Sequence, residues 1–289
     1  MQGAFESVKG RPFFVRRWGD PSLPRLLLLH GFPEYGGAWH DVAKSLSQRF
    51  HCIAPDQRGF GQSWTPEGVN AYGASHLIDD MVALIDANTG PISVFGHDWG
   101  AAIAYGLAMF HPGLVERLII ANGVHPVPFQ RALAAGGAQT AASQYITWLR
   151  QPGIEDDLSA NGFEKLQQLF ATHMDMSWLS GTRLEAYKVE WSRPGRLRAM
   201  LNWYRASPLV VAKPGQPIAV PPLPLTRLKV PQPHLLLWGD GDTALLPETT
   251  QGLEDFAPDL TRITLAGCDH WLHHQKPEEV AQAILDWHP

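Results

Sequence analysis

The segment Gly96-His97-Asp98-Trp99-Gly100 follows a short apolar run and precedes an alanine-rich one. The preceding run, Pro91-Ile92-Ser93-Val94-Phe95, contains β-branched residues and predicts a buried strand, whereas residues 101–110 predict a helix. A Gly-x-nucleophile-x-Gly pattern between a strand and a helix is typical of a nucleophile elbow, where glycines permit a sharp turn. The sequence therefore predicts that the side chain of residue 98 projects into a pocket.

An aspartate occupies the position where such an elbow often carries a serine. Its carboxylate can attack a saturated, electrophilic carbon and form an ester with the enzyme itself. Aspartate is also a favoured N-cap residue, so Asp98 considered alone leaves a purely structural role open. The choice between the two interpretations depends on whether the chain supplies the partners of an ester-forming aspartate.

The composition is that of an ordinary globular protein. The chain has 289 residues, a net charge of −5 and no Lys/Arg cluster, so we expect no nucleic-acid partner. The N-terminal residues lack the apolar run of a signal peptide, and the longest aliphatic run, residues 26–29, is too short for a membrane span. Two cysteines, Cys52 and Cys268, fit a reducing cytoplasm, where we expect a monomer or homodimer.

Strand-like and helix-like segments alternate at the start of the chain, which is typical of an α/β protein with a mostly parallel sheet. After residue 125 helix-like segments follow one another without a strand; they are residues 139–149, 163–173, 183–191 and 197–204. A proline-dense stretch, residues 208–224, follows before the alternation resumes. We therefore predict an α/β core formed by residues 1–125 and 227–289. Residues 126–226 would form a helical cap over the carboxyl edge of the sheet, where such folds bind ligands.

Hydrolysis of an aspartyl ester needs a general base for water, ideally an imidazole. His270 lies between the last predicted strand and helix, and in proteins with a nucleophile elbow the histidine comes last along the chain. His273 and His274 begin the final helical segment, where we expect them to be solvated. The imidazole needs an acid to fix its tautomer, and Asp242 follows the penultimate strand, whereas Asp240 is explained as a turn residue.

Two further positions complete the predicted machinery. Some proteins with this order of residues place the acid one strand earlier, but that position here is Asn122, which cannot carry a negative charge. The oxyanion formed when water attacks the ester needs donors. The backbone N–H of Trp99 and that of Phe32, in the loop after the third strand, are the positional candidates. Glu34, two residues later, is a candidate for organising water.

These residues resemble those of the epoxide hydrolases of the α/β-hydrolase fold, and the resemblance extends over essentially the whole chain. It rests on His30-Gly31-Phe32-Pro33-Glu34, residues 56–61 and 96–100, Asp242 and His270-Trp271. Its most specific part is Leu201-Asn202-Trp203-Tyr204-Arg205, which is similar to the family segment carrying one ring-opening tyrosine. Tyr145, seven residues before Pro152-Gly153, falls where the second one lies. The resemblance implies that Tyr145 and Tyr204 donate to the epoxide oxygen; packing on the core is the alternative.

A haloalkane dehalogenase is the nearest alternative, because it resembles this chain in fold, nucleophile and base. Trp99 fits both activities, since an indole N–H can hold a halide, but dehalogenases of that kind usually have Asn where this chain has Phe32. A fluoroacetate-type dehalogenase would be expected to have Arg in place of Trp99. A halide leaves without a proton, so a pair of phenols favours the epoxide.

Two alternatives come from other classes. A cofactor-free dioxygenase would use the His–Asp dyad without a nucleophile, and a non-catalytic receptor would need neither, so Asp98 argues against both. The resulting hypothesis is hydrolysis of an epoxide to a vicinal diol with water, without a metal or an organic cofactor. The aromatic residues predict an apolar or aromatic epoxide. The candidates for contact with it are Phe32, Trp39, Trp99, Trp148 and Trp203.

Overall fold

A single eight-stranded sheet forms the centre of the computed structural model, which describes residues 1–85 and 90–288. Its order is β1-β2-β4-β3-β5-β6-β7-β8. The strands are β1 Gln2–Val8, β2 Arg11–Trp18, β3 Arg25–Leu29, β4 His51–Pro55, β5 Ile92–His97, β6 Val115–Ala121, β7 His234–Gly239 and β8 Leu260–Leu265. The β1–β2 and β2–β4 pairs are antiparallel and all the others are parallel. The predicted α/β fold with a mostly parallel sheet is confirmed.

Helices cover both faces of the sheet, and the alternation of side chains along β3 shows why. Leu27 and Leu29 join the core that contains the helices α2 (Ala74–Leu84) and α3 (Trp99–Phe110). Leu26 and Leu28 point to the opposite face. That face packs against α1 (His40–Leu46) and the C-terminal α11 (Pro277–Trp287), which follows the short α10 (Leu272–Gln275). A strand that is buried on both faces has a continuous apolar sequence, and this pattern allowed such strands to be predicted from the sequence.

A helical insertion separates β6 from β7. Its helices are α4 Pro126–Ala134, α5 Ala138–Ala142, α6 Gln144–Leu149, α7 Ile154–Ala171, α8 Gly181–Trp191 and α9 Arg196–Ala206. The predicted helix 139–149 is two helices that meet at Ser143, whose hydroxyl accepts a hydrogen bond from Gln139. The sequence analysis did not predict α4, which begins with Pro126 in the first turn, where a proline is tolerated. No helix within the described residues is both long and apolar enough to cross a bilayer.

The approach of α3 to β3 depends on Gly100. A Cβ atom at this position would overlap the carbonyl oxygen of Leu29. Gly100→Ala should therefore lower the free energy of unfolding by about 3 kcal/mol, because the added methyl group forces α3 away from the sheet. Urea denaturation measures this change.

Gly113→Ala is the matched control, because a Cβ at Gly113 meets open space. We expect it to change the free energy of unfolding by less than about 0.5 kcal/mol. Equal stability of the two variants would contradict this account of the packing of α3.

Candidate active site

Asp98 stands at the turn between β5 and α3, as the elbow pattern predicts. Its backbone has φ of 49° and ψ of −121°, a combination that non-glycine residues rarely adopt. The close packing around the turn leaves no room for side chains on its flanks: a Cβ at Gly96 would lie 2.6 Å from the carbonyl oxygen of Gly100. Backbone strain of this kind concentrates at functional sites, where the surrounding structure enforces it.

The carboxylate of Asp98 has two distinct sides. Its Oδ1 accepts a hydrogen bond from the backbone N–H of Phe32 at 2.8 Å, so one predicted oxyanion donor lies beside the predicted nucleophile. Its Oδ2 is 3.7 Å from Nε2 of His270, which is too long for a direct hydrogen bond. The structure thus brings Asp98, Phe32 and His270 together from three separate parts of the chain.

Asp242 holds the other side of the His270 ring. Its Oδ2 lies 2.8 Å from Nδ1 of His270, and its Oδ1 accepts hydrogen bonds from the backbone N–H groups of Ala244 and Leu245. The side-chain amide of Asn122 donates to Oδ2 at 2.6 Å. Asn122 is therefore part of the site as a donor to the acid, a contribution that the sequence analysis missed when it weighed the residue only as an acid.

These contacts shift the pKa values of the pair in opposite directions. Burial alone would raise the pKa of Asp242, but His270, the N–H of Leu245 and Asn122 hold it below its usual value. Burial alone would lower the pKa of His270, but the charges of Asp242 and Asp98 raise it to about 9. His270 is therefore protonated at neutral pH as long as both carboxylates are ionised.

Tyr145 on α6 and Tyr204 on α9 lie across from the elbow. Their ring centroids are 6.3 Å apart, and both line the same cavity as Asp98. Tyr204 packs edge-on against Phe32 and Trp99, with centroid distances of 5.2 and 5.1 Å. Burial raises the pKa of both phenols, and the negative charge of Asp98 raises it further. Both tyrosines are therefore neutral hydrogen-bond donors at physiological pH.

The cavity has a volume of about 300 Å³ and a predominantly apolar lining. Of the residues predicted to contact substrate, Trp99 and Trp203 lie in its wall, whereas Phe32 and Trp148 do not. Trp39 is a correction to the predicted set: it is fully buried on the opposite face of the sheet, where it packs against Phe95. The local sequence does not reveal which face of the sheet Trp39 covers, and we remove Trp39 from the residues expected to contact substrate.

A buried polar cluster around Glu34 lies next to the site. The Oε1 atom of Glu34 accepts hydrogen bonds from His274, His273 and Tyr187 at 2.6, 3.2 and 3.2 Å. The prediction that His273 and His274 are solvated is wrong, because both are buried against this carboxylate. Burial alone would raise the pKa of Glu34, but these histidines hold it well below its usual value.

His97 links this cluster to the loop that carries His270. Its Nδ1 lies 3.2 Å from Oε2 of Glu34, and its Nε2 donates to the backbone carbonyl of His270 at 2.9 Å. Glu34, His97 and His273 also offer ligand atoms within 4.8 Å of one another, a spacing that could hold a metal ion. A metal on Nε2 of His273 would leave its Nδ1, which has no partner among the described residues, as a buried N–H donor without an acceptor. We therefore assign the cluster a structural role.

Comparisons with known proteins agree with this geometry. A family model described as alpha/beta hydrolase fold matches residues 24–277. The AB hydrolase superfamily protein YfhM of Bacillus subtilis is 32% identical over 98% of this chain and 96% of its own length. Human Epoxide hydrolase 4 is 30% identical over 92% of this chain and 72% of its own length.

Solved structures extend the agreement to three dimensions. A structure from a study of epoxide hydrolases in metagenomes from hot environments is 34% identical, with a TM-score of 0.89 and 99% coverage of both chains. A mutant epoxide hydrolase from Bacillus megaterium, complexed with its product (R)-3-[1]naphthyloxy-propane-1,2-diol, is 27% identical. Its TM-score is 0.86, with 98% of this chain and 99% of that chain covered. The chain therefore belongs to the epoxide hydrolases of the α/β-hydrolase fold.

Proposed function

We propose that this enzyme hydrolyses epoxides to vicinal diols through an ester on Asp98. The observation that carries the proposal is that a carboxylate on a strained elbow and two neutral phenols line one apolar cavity. A carboxylate supplies the nucleophile, and the phenols supply the acid that an alkoxide leaving group requires. Residues 126–226, which carry both tyrosines, act in this proposal as the cap that closes the site.

The first step forms the ester. The Oδ2 atom of Asp98 attacks one ring carbon, and the bond between that carbon and the epoxide oxygen breaks. Tyr145 and Tyr204 hydrogen-bond the oxygen, and one of them gives it a proton. Because ester formation removes the charge of Asp98, one cause of the raised pKa of His270 disappears. The imidazolium proton is then available to restore the phenol.

The second step hydrolyses the ester. His270, held by Asp242, takes one proton from water, and the resulting hydroxide attacks the carboxyl carbon of Asp98. The oxyanion forms on Oδ1, which already accepts the N–H of Phe32, and the N–H of Trp99 is the second donor. Cleavage of the acyl C–O bond releases the diol, whose oxygen takes the remaining proton of that water. The enzyme returns to ionised Asp98 and protonated His270, so the atoms and protons balance.

Isotope labelling tests the ester directly. After repeated turnover of an aryl epoxide in ¹⁸O-water, the peptide that contains Asp98 should carry ¹⁸O, because each hydrolysis leaves one oxygen of water in the carboxylate. Mass spectrometry of the digested enzyme measures the label, and enzyme incubated without epoxide is the control. Diol formation with an unlabelled peptide would exclude the ester mechanism.

Tyr204→Phe tests the role of the phenols. We expect the rate constant for ring opening to fall by about 10²-fold or more, because the alkoxide loses an acid. Turnover of a haloalkane, if detectable, should hardly change, since a halide leaves without a proton. Tyr105→Phe is the matched control, because Tyr105 is fully buried on α3 but contributes nothing to the cavity wall. Equal losses on both substrates would contradict the assigned role.

The acid assignment is tested by the pKa of His270. Asp242→Asn should lower this pKa from about 9, because it removes the negative charge that does most to oppose the effect of burial. An NMR titration of the imidazole measures the shift. Asp240→Asn is the control: Asp240 is exposed and accepts the N–H of Gly267, so the His270 pKa should stay in place. A larger shift in Asp240→Asn than in Asp242→Asn would reverse the assignment.

A further inference from the structure

The cavity follows one side of α3 along its whole length. The helix contributes residues at helical spacing to the wall; they are Trp99, Ala102, Ile103, Gly106, Met109 and Phe110. Residues 99 and 110 are separated by about 16 Å along the axis at the rise of an α-helix. The cavity is therefore a channel that begins at Asp98 and runs to the C-terminal end of α3.

The outer end of the channel reaches solvent. Phe110, the last residue of α3, is 43% exposed although it is a large apolar side chain. Ala102, near the start of α3, is also exposed although Ala101 and Ile103 beside it are buried, because its methyl group faces the channel. The small side chain of Ala102 leaves space that a larger residue on this side of α3 would fill, whereas Gly106 lets Ile78 of α2 pack directly against the helix backbone.

The chemistry of the channel differs between its two ends. Among the described residues, Asp98 is the only charged side chain in its wall, and the phenols of Tyr145 and Tyr204 lie near it. The remaining wall includes apolar residues of α2, of α4 and of the proline-rich segment, among them Leu77, Ile78, Phe129, Leu223 and Pro224. A substrate with its polar epoxide at one end and an apolar substituent at the other matches this distribution.

Phe32, whose N–H holds the Asp98 carboxylate, lies outside the channel wall and belongs to a separate group of packed aromatic rings. The ring of Phe32 packs against that of Phe170, with a distance of 6.2 Å between their centroids. Phe170 in turn packs against the fully buried Trp271, with a centroid distance of 5.2 Å. A second large substituent, on the other ring carbon, would have to enter this packed aromatic region. Overpacking such a region is unfavourable.

From these observations, and resting on the proposed function, we infer that the preferred substrates are terminal epoxides that carry one long, uncharged apolar substituent. The substituent lies along α3, where the small side chain of Ala102 leaves room for it to pass toward Phe110. Each methylene group buried in the channel contributes to binding, so specificity rises with chain length.

The test is a comparison of kcat/KM for 1,2-epoxyalkanes from 1,2-epoxybutane to 1,2-epoxydodecane. We expect an increase of about fourfold per methylene, before levelling off where the chain reaches Phe110. An internal epoxide with two long chains should be a poorer substrate than its terminal isomer. Equal kcat/KM along the series, or a preference for the internal isomer, would overturn this inference while leaving epoxide hydrolysis intact. Failure to hydrolyse every epoxide would instead overturn the proposed function.

Ala102→Phe places a ring in the channel. The ratio of kcat/KM for epoxydodecane to that for epoxybutane should fall at least tenfold. Ala4→Phe is the matched control, because Ala4 is exposed on the edge strand β1, and it should leave the ratio unchanged. Circular dichroism establishes that each variant folds. If Ala102→Phe does not fold, Phe110→Ala gives a second test, since it should reduce the preference only for the longest chains. An unchanged chain-length profile in the folded variant used would contradict the inference.

Discussion

The strained backbone of Asp98 is the constraint on which the rest of the site depends. A positive φ at a non-glycine residue costs on the order of 1–3 kcal/mol, and the surrounding packing must supply that energy. This energy comes from the packing of α3 against β3, where Gly100 lies against the carbonyl of Leu29. The loop after β3 also carries the N–H of Phe32 to the Asp98 carboxylate. One packing contact thus enforces the turn and places the donor beside the nucleophile.

Apart from the two tyrosines of the insertion, the residues of the site come from the carboxyl ends of neighbouring strands. The strands β3, β5, β6, β7 and β8 are consecutive neighbours in the sheet and all run parallel. The site takes one residue from just beyond the carboxyl end of each; in that order they are Phe32, Asp98, Asn122, Asp242 and His270. Parallel strands bring all their carboxyl ends to one edge. Residues up to 238 positions apart in sequence therefore converge without any long-range signal in the sequence itself.

This rule explains how much of the site could be predicted from the sequence. Asp98, Asp242 and His270 each follow a recognisable strand, so local pattern and chain order were sufficient to bring them together. His273 and His274 were misjudged because their surroundings depend on Glu34, which lies more than two hundred residues earlier in the chain. The sequence analysis considered Asn122 only as a possible acid and excluded it because it is uncharged. Its side-chain amide in fact donates a hydrogen bond to Asp242. Local pattern predicts elements well, but it does not reveal which polar groups meet in the interior.

The helix α3 has a further consequence for the protein as a whole. One side of it packs in the core beside the sheet, while the other forms the apolar wall that the helical insertion and the proline-rich segment enclose. A helix that is apolar all round has no face to offer to water. Without the insertion, the α/β core would expose that wall as a large apolar patch prone to aggregation. The insertion and the proline-rich segment therefore cover an apolar surface of the α/β core that would otherwise face solvent.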